Sequence, residues 1–225
     1  MPDIQKVSFT GTLMAGLPVD DSTGLSLIGD QQFVINGKTV NSVGIGLAGR
    51  KAPEYVDRHL SISGVMQNRG SHDTNYFWPV VVAEEISEVP YSGVATKSFD
   101  AEGLSVSLSI QPALFPLRAS PGPTMKLSLS NHCSNPKTLD FKNRAQVCFR
   151  VTEIAGPFGT FKQVWSSNVA APSPGTRITI NPNMPFEVAT ALPSQAAKKD
   201  AAYLLNASVS EYDNYSLQTQ FRVRG

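Results

Sequence analysis

The chain is poor in the residues from which catalytic and metal centres are usually built. Its 225 residues include two cysteines and three histidines. Cys133 and Cys148 cannot make a disulfide framework or a four-thiolate zinc site. His59, His72 and His132 are spaced neither as H-x-H nor as H-x-x-x-H, so no imidazole pair presents itself as a ligand set. Charge is also sparse. Only 16% of residues are charged, and 19 Lys+Arg against 18 Asp+Glu leave a net charge of +1, which supplies no field to gather DNA or anionic lipid. No apolar run approaches the ~20 residues of a spanning helix, so no membrane span is expected. Met1–Lys6 passes straight into alternating residues without the apolar core of a secretory signal. Two expectations stay open: a cytoplasmic protein if Met1 is native, or an extracytoplasmic one whose signal peptide was removed.

What the chain does have is apolar content, 41%, enough to bury a core. That content is arranged with a period of two, and no window carries an apolar stripe at i, i+3, i+4, i+7. The expectation is an all-β protein. Val7–Leu13 alternates as a first strand. Phe33–Ile35 and Thr39–Val40 flank Asn36-Gly37, the pair best suited to a tight hairpin turn. Val43–Leu47 continues as strand, Ala52–Val56 offers one helical turn, and Leu60–Met66 and Trp78–Ile86 follow on either side of a polar loop, Asn68–Asn75. Five strands with one helical turn between the third and fourth is the element order of an OB-like Greek-key barrel, expected over residues 1–92.

After a poorly periodic stretch at Pro90–Lys97, read as a linker, further strands are expected at Leu104–Ile110, Met125–Asn131, Thr138–Phe141, Val147–Val151, Gln163–Trp165, Thr176–Ile180, Tyr203–Val209 and Ser216–Val223. Short strands separated by turn residues over residues 98–225 imply an immunoglobulin-like β-sandwich.

Two family resemblances lie on these runs. GDQQFVINGKTVNSVGI (29–45), LSISGVMQ (60–67) and PVVVAEEISEV (79–89) look like the OB-like domains of bacterial proteins. KLSLSNHCSNPKTLDF (126–141), CFRVTEI (148–154) leading to QVW (163–165), PGTRITI (174–180) and AAYLLNASV (201–209) resemble the BsuPI family of intracellular proteinase inhibitors. The matching positions are Asn131, Phe141, Val164-Trp165, Pro174-Gly175 and Tyr203–Ala207. The chain departs from that pattern at Ala145–Cys148 and in the enlarged turn Ala155–Thr160. The resemblance implies protease inhibition, with a serine protease as the partner.

Chemistry-bearing motifs are absent: no G-x-S-x-G elbow, no G-x-x-x-x-G-K-[ST] loop and no G-x-G-x-x-G. His132 and Cys133 are adjacent and diverge if they lie on a strand. The paired carboxylates Glu84-Glu85 and Asp20-Asp21 read as solvated charges. Cys133 and Cys148 are either joined, which would be worth about 3 kcal/mol in the loop-entropy model, or two free thiols. Up to Ser92 there are six basic and ten acidic residues, net −4, and beyond it 13 and 8, net +5. The negative barrel half argues against nucleic acid as partner. Interaction signals are aromatic instead. Tyr76-Phe77-Trp78 cannot all face one core, and Ala155–Phe161 forms a proline-stiffened turn whose Pro157, Phe158 and Phe161 suit docking on a partner. The expectation is a non-enzymatic protein-binding module with no cofactor and no metal, acting through Pro157, Phe158, Phe161, Tyr76 and Trp78. Two alternatives remain: a structural or assembly component of a surface or virion, and binding of a small ligand or oligosaccharide at the barrel.

Overall fold

The computed structural model describes residues 5–15, 24–35, 37–70, 77–117, 121–142, 146–155, 160–170, 177–198 and 200–225. The protein is all-β: the described residues form sixteen strands and two single-turn 3-10 segments, Ala52–Glu54 and Ser194–Ala196. The chain divides into two compact units, Met1–Pro90 with Ala155–Phe161, and Tyr91–Ile154 with Lys162–Gly225.

In the first unit, β1 (Lys6–Ala15), β2 (Leu25–Ile35), β3 (Lys38–Gly46), β4 (His59–Gly70) and β5 (Phe77–Glu88) close a barrel in the order β1-β2-β3-β5-β4. Every neighbour is antiparallel except β3 with β5. The hairpin anticipated at Asn36-Gly37 is present: Ile35 pairs with Lys38 across a two-residue turn, and Gly37 has φ +73°. Asn36 itself lies outside the described residues. Leu13, Leu27, Phe33, Val43, Ile45, Leu60, Ile62 and Val81 fill the interior, and the Phe9 and Phe33 rings meet at 4.4 Å.

Close backbone approach in the barrel requires glycine at several positions, among them Gly64 and Gly11. A Cβ on Gly64 would stand 2.1 Å from the Val82 carbonyl oxygen, and one on Gly11 1.9 Å from that of Ile28. Beside Gly64 the β4–β5 register slips, with Ser63 facing Glu85 but Gly64 facing Ala83. This bulge leaves Glu84 unpaired. Glu84 and Glu85 are both exposed, in keeping with their reading as solvated charges. The Arg50 guanidinium secures the distorted stretch, donating to the carbonyls of Leu47 (3.2 Å), Ala83 (3.0 Å) and Glu84 (2.6 Å).

In the second unit, which takes β11 (Gln146–Ala155) as far as Ile154 and β12 (Thr160–Ala170) from Lys162, one sheet runs in the order β12, β11, β15 (Ala202–Val209), β16 (Tyr212–Arg224) and β8 (Leu114–Pro116). A second sheet runs β14 (Phe186–Ala191), β9 (Thr124–Asn131), β7 (Leu104–Gln111), β6 (Val94–Phe99), and β10 (Lys137–Asp140) pairs with β13 (Arg177–Ile180). Strict alternation decides which face is buried. In β7, Leu104, Val106, Leu108 and Ile110 are buried while Ser105, Ser107 and Ser109 point outward. They join Phe149, Val151, Tyr203, Leu205 and Phe221 of the other sheet in one core, through which Tyr203, Phe221 and Phe115 stack at 5.1 and 5.7 Å.

The structure changes several sequence expectations. Val94–Lys97, read as linker, belongs to β6, because Ala95 is buried between exposed Val94 and Thr96 and the strand pairs with β7. β8 and β14 were not anticipated. β4 and β5 run on through Asn68–Gly70 and Phe77-Trp78, so the polar loop is shorter than Asn68–Asn75, and residues 71–76 lie outside the described ones. β12 continues to Ala170 instead of ending at Trp165.

Candidate functional site

An edge strand presents unpaired backbone donors and acceptors, and proteins commonly blunt such edges with short length, proline or charge. Closure removes this exposure from the barrel. In the sandwich unit the edges differ. β8 has three residues and ends in Pro116, β14 follows Pro185 and carries Glu187 paired to Lys126 at 2.9 Å, and β6 carries Lys97. The two-stranded sheet has four residues per strand, with Arg177 paired to Asp140 at 2.7 Å.

β12 differs in its length: like β6 it carries a single lysine, but it is neither short nor interrupted by proline. Thr160–Ala170 is eleven residues long, lacks proline and has one charge, Lys162. Among the described residues it pairs on one side only, with β11. Val164, Trp165 and Val169 rest partly buried on the core, while Lys162, Gln163, Ser166 and Asn168 are exposed. At its start Phe161 is 49% exposed, a large apolar side chain left in water.

Of the sequence-predicted site residues, Phe161 is therefore exposed on an edge. It is part of a strand, not of a loop tip. Pro157, Phe158 and Tyr76 lie outside the described residues. Trp78 is in β5 opposite Arg69, and its side chain is not among those described. The structure thus places Trp78 and Phe161 on different sheets. Sequence reasoning missed Val164–Ala170 as part of the site. The alternation Phe161, Gln163, Trp165, Ser167, Val169 was the available signal, and Ser166-Ser167-Asn168 masked it by resembling a turn.

Elsewhere several polar side chains are paired off within the chain. His132 and Cys133 lie just past the end of β9, so the strand geometry expected to separate them does not apply; the His132 ring meets Ser105 Oγ at 2.7 Å through Nε2, and Cys133 Sγ lies 3.9 Å from the Glu102 carbonyl. Both cysteines are free thiols. Glu153, inward-facing on β11, receives the Lys198 ammonium at 2.9 and 3.1 Å, and this carboxylate holds the Lys198 pKa up. Tyr215 donates to the Glu102 carboxylate, and burial, reinforced by that carboxylate, raises its pKa well above the ordinary phenol value. Among the described residues no three His, Cys, Asp or Glu side chains converge, and no helix is long and apolar enough to cross a membrane. No protein-family model matches the chain, and no curated protein matches it in sequence.

Proposed function

We propose that the chain is a non-catalytic protein-binding module that docks an extended partner segment along the free edge of β12. The carrying observation is the edge itself: eleven residues with one charge, no proline and an exposed Phe161 at its start. Strand addition takes affinity from main-chain hydrogen bonds and selectivity from alternate side chains. The β1-β2-β3-β5-β4 order with a 3-10 turn between β3 and β4 supports reading the barrel as OB-like, and the two sheets around one core support an immunoglobulin-like unit.

Labelled peptides of alternating apolar and polar residues, titrated against the protein and followed by fluorescence anisotropy, test the docking. At least one peptide should bind saturably. Of Ser166→Pro and Ser167→Pro, the one whose N–H faces the open edge should weaken binding by roughly tenfold or more while thermal unfolding is little changed. A protein that binds none of the peptides is not a strand-docking module. The finer version, serine-protease inhibition, rests on the BsuPI resemblance and predicts stoichiometric inhibition of a member of a protease panel. Indifference across the panel removes that version alone.

A further inference from the structure

We propose that Asn214 is an acceptor for N-linked oligosaccharide, a modification site on β16 that is independent of strand docking. The sequence carries the acceptor pattern Asn-x-Ser twice, at Asn206-Ala207-Ser208 and at Asn214-Tyr215-Ser216. So short a pattern arises readily by chance, and position in the fold decides between the two.

Asn206 sits in mid-ladder on β15, opposite Arg150 on one side and Gln218 on the other, and Gln218 is buried. An oligosaccharide there would have to leave the sheet between two occupied neighbours. Asn214 follows the turn between β15 and β16, where the register breaks: Val209 faces Tyr212, yet Ala207 faces Leu217. Asp213, Asn214, Tyr215 and Ser216 therefore span the length of a single β15 residue, Ser208, and form a bulge. Asn214 and Ser216, the two residues the pattern requires, are exposed, while Tyr215 between them is 2% exposed. Tyr215 donates to the Glu102 carboxylate, stacks on Tyr212 at 5.6 Å and meets the Phe99 ring edge-on at 4.9 Å. The bulge is thus anchored through its middle residue, and a sugar carried by Asn214 stands in water without entering the core.

The donor is a lipid-diphosphate-linked oligosaccharide, presented by a transferase of the secretory route. The Asn214 Nδ2 bonds to the anomeric carbon of the sugar as the bond from that carbon to the diphosphate oxygen breaks. The lipid diphosphate leaves with the electron pair, Nδ2 gives up a proton, and nothing is oxidised or reduced. The Ser216 hydroxyl completes the recognised pattern. Of the two compartments left open by the sequence, the extracytoplasmic one is where this transfer takes place.

Cell-free translation of the full chain behind a cleavable secretory signal, with microsomes present, tests the site on the fraction protected from added protease. The protected chain should run one discrete step heavier, and peptide N-glycosidase should remove that step. Asn214→Gln and Ser216→Ala should abolish it, Ser216→Thr should keep it, and Asn206→Gln should leave it unchanged. Asn214 and Ser216 are exposed, so their substitution leaves the fold intact. A protected chain with no step, or a step that survives Asn214→Gln, overturns the inference and leaves strand docking untouched.

Discussion

His59 is buried at the start of β4 with an oxygen acceptor at each ring nitrogen: Nδ1 lies 2.9 Å from the Val89 carbonyl, and Nε2 lies 2.9 and 3.0 Å from the Asp30 carboxylate oxygens. Carbonyl and carboxylate only accept, so both bonds form when both nitrogens carry protons, the imidazolium state. Burial pulls the pKa down, but the hydrogen bond and charge of Asp30, with the Val89 and Pro90 carbonyls, outweigh it and raise the pKa above 6.5. The sign of the linkage follows. A raised folded-state pKa gives stability that is fully present below pH 6.5 and is lost as pH climbs through the raised value. Thermal unfolding followed against pH should therefore show Tm declining over that interval, and His59→Gln should flatten the decline. A wild-type curve that is level there contradicts the paired imidazolium. Thr219 is the opposite case, a fully buried side chain on β16 whose hydroxyl has no hydrogen-bond partner among the described residues. Thr219→Val keeps the shape and removes the unsatisfied group, so denaturant unfolding should report a gain of about 1 kcal/mol.

At the scale of elements, the β4–β5 pair shows how a short glycine signal becomes a bend. Gly64→Ala would press a methyl against the Val82 backbone, which cannot rotate away as a side chain can. The barrel should lose on the order of 1–3 kcal/mol, read as a lower unfolding midpoint. The Asn36-Gly37 turn and the alternation in β7 were both legible, because each is a local property of a few consecutive residues. Less legible were elements defined by what they pair with. β8 is three residues beside β16, β6 gains its place from β7, and Arg50 acts on carbonyls more than thirty positions away. The bulge that leaves Glu84 unpaired is likewise a two-strand event, invisible along one strand. In β12, residues with turn-forming habits were overruled by pairing with β11.

For the whole molecule, the contrast is between edges that are closed, shortened or charged and one that is long and open. The barrel sheet closes on itself, and among the described residues the longest edge strand of the second unit is β12. The described residues pair off His59, Glu153 and Tyr215 internally and leave Phe161 exposed on β12, which supports the proposal that binding is through backbone and aromatic contact. The measurement that tests this most directly is amide hydrogen exchange of residues 162–168, with and without a saturating strand-forming peptide. Docking along β12 predicts that alternate amides of this stretch, those facing the open edge, exchange quickly in the free protein and become protected when peptide is bound, while β7 and β9 are unchanged. Exchange in β12 that is indifferent to the bound peptide, or protection confined to another element, would contradict the account.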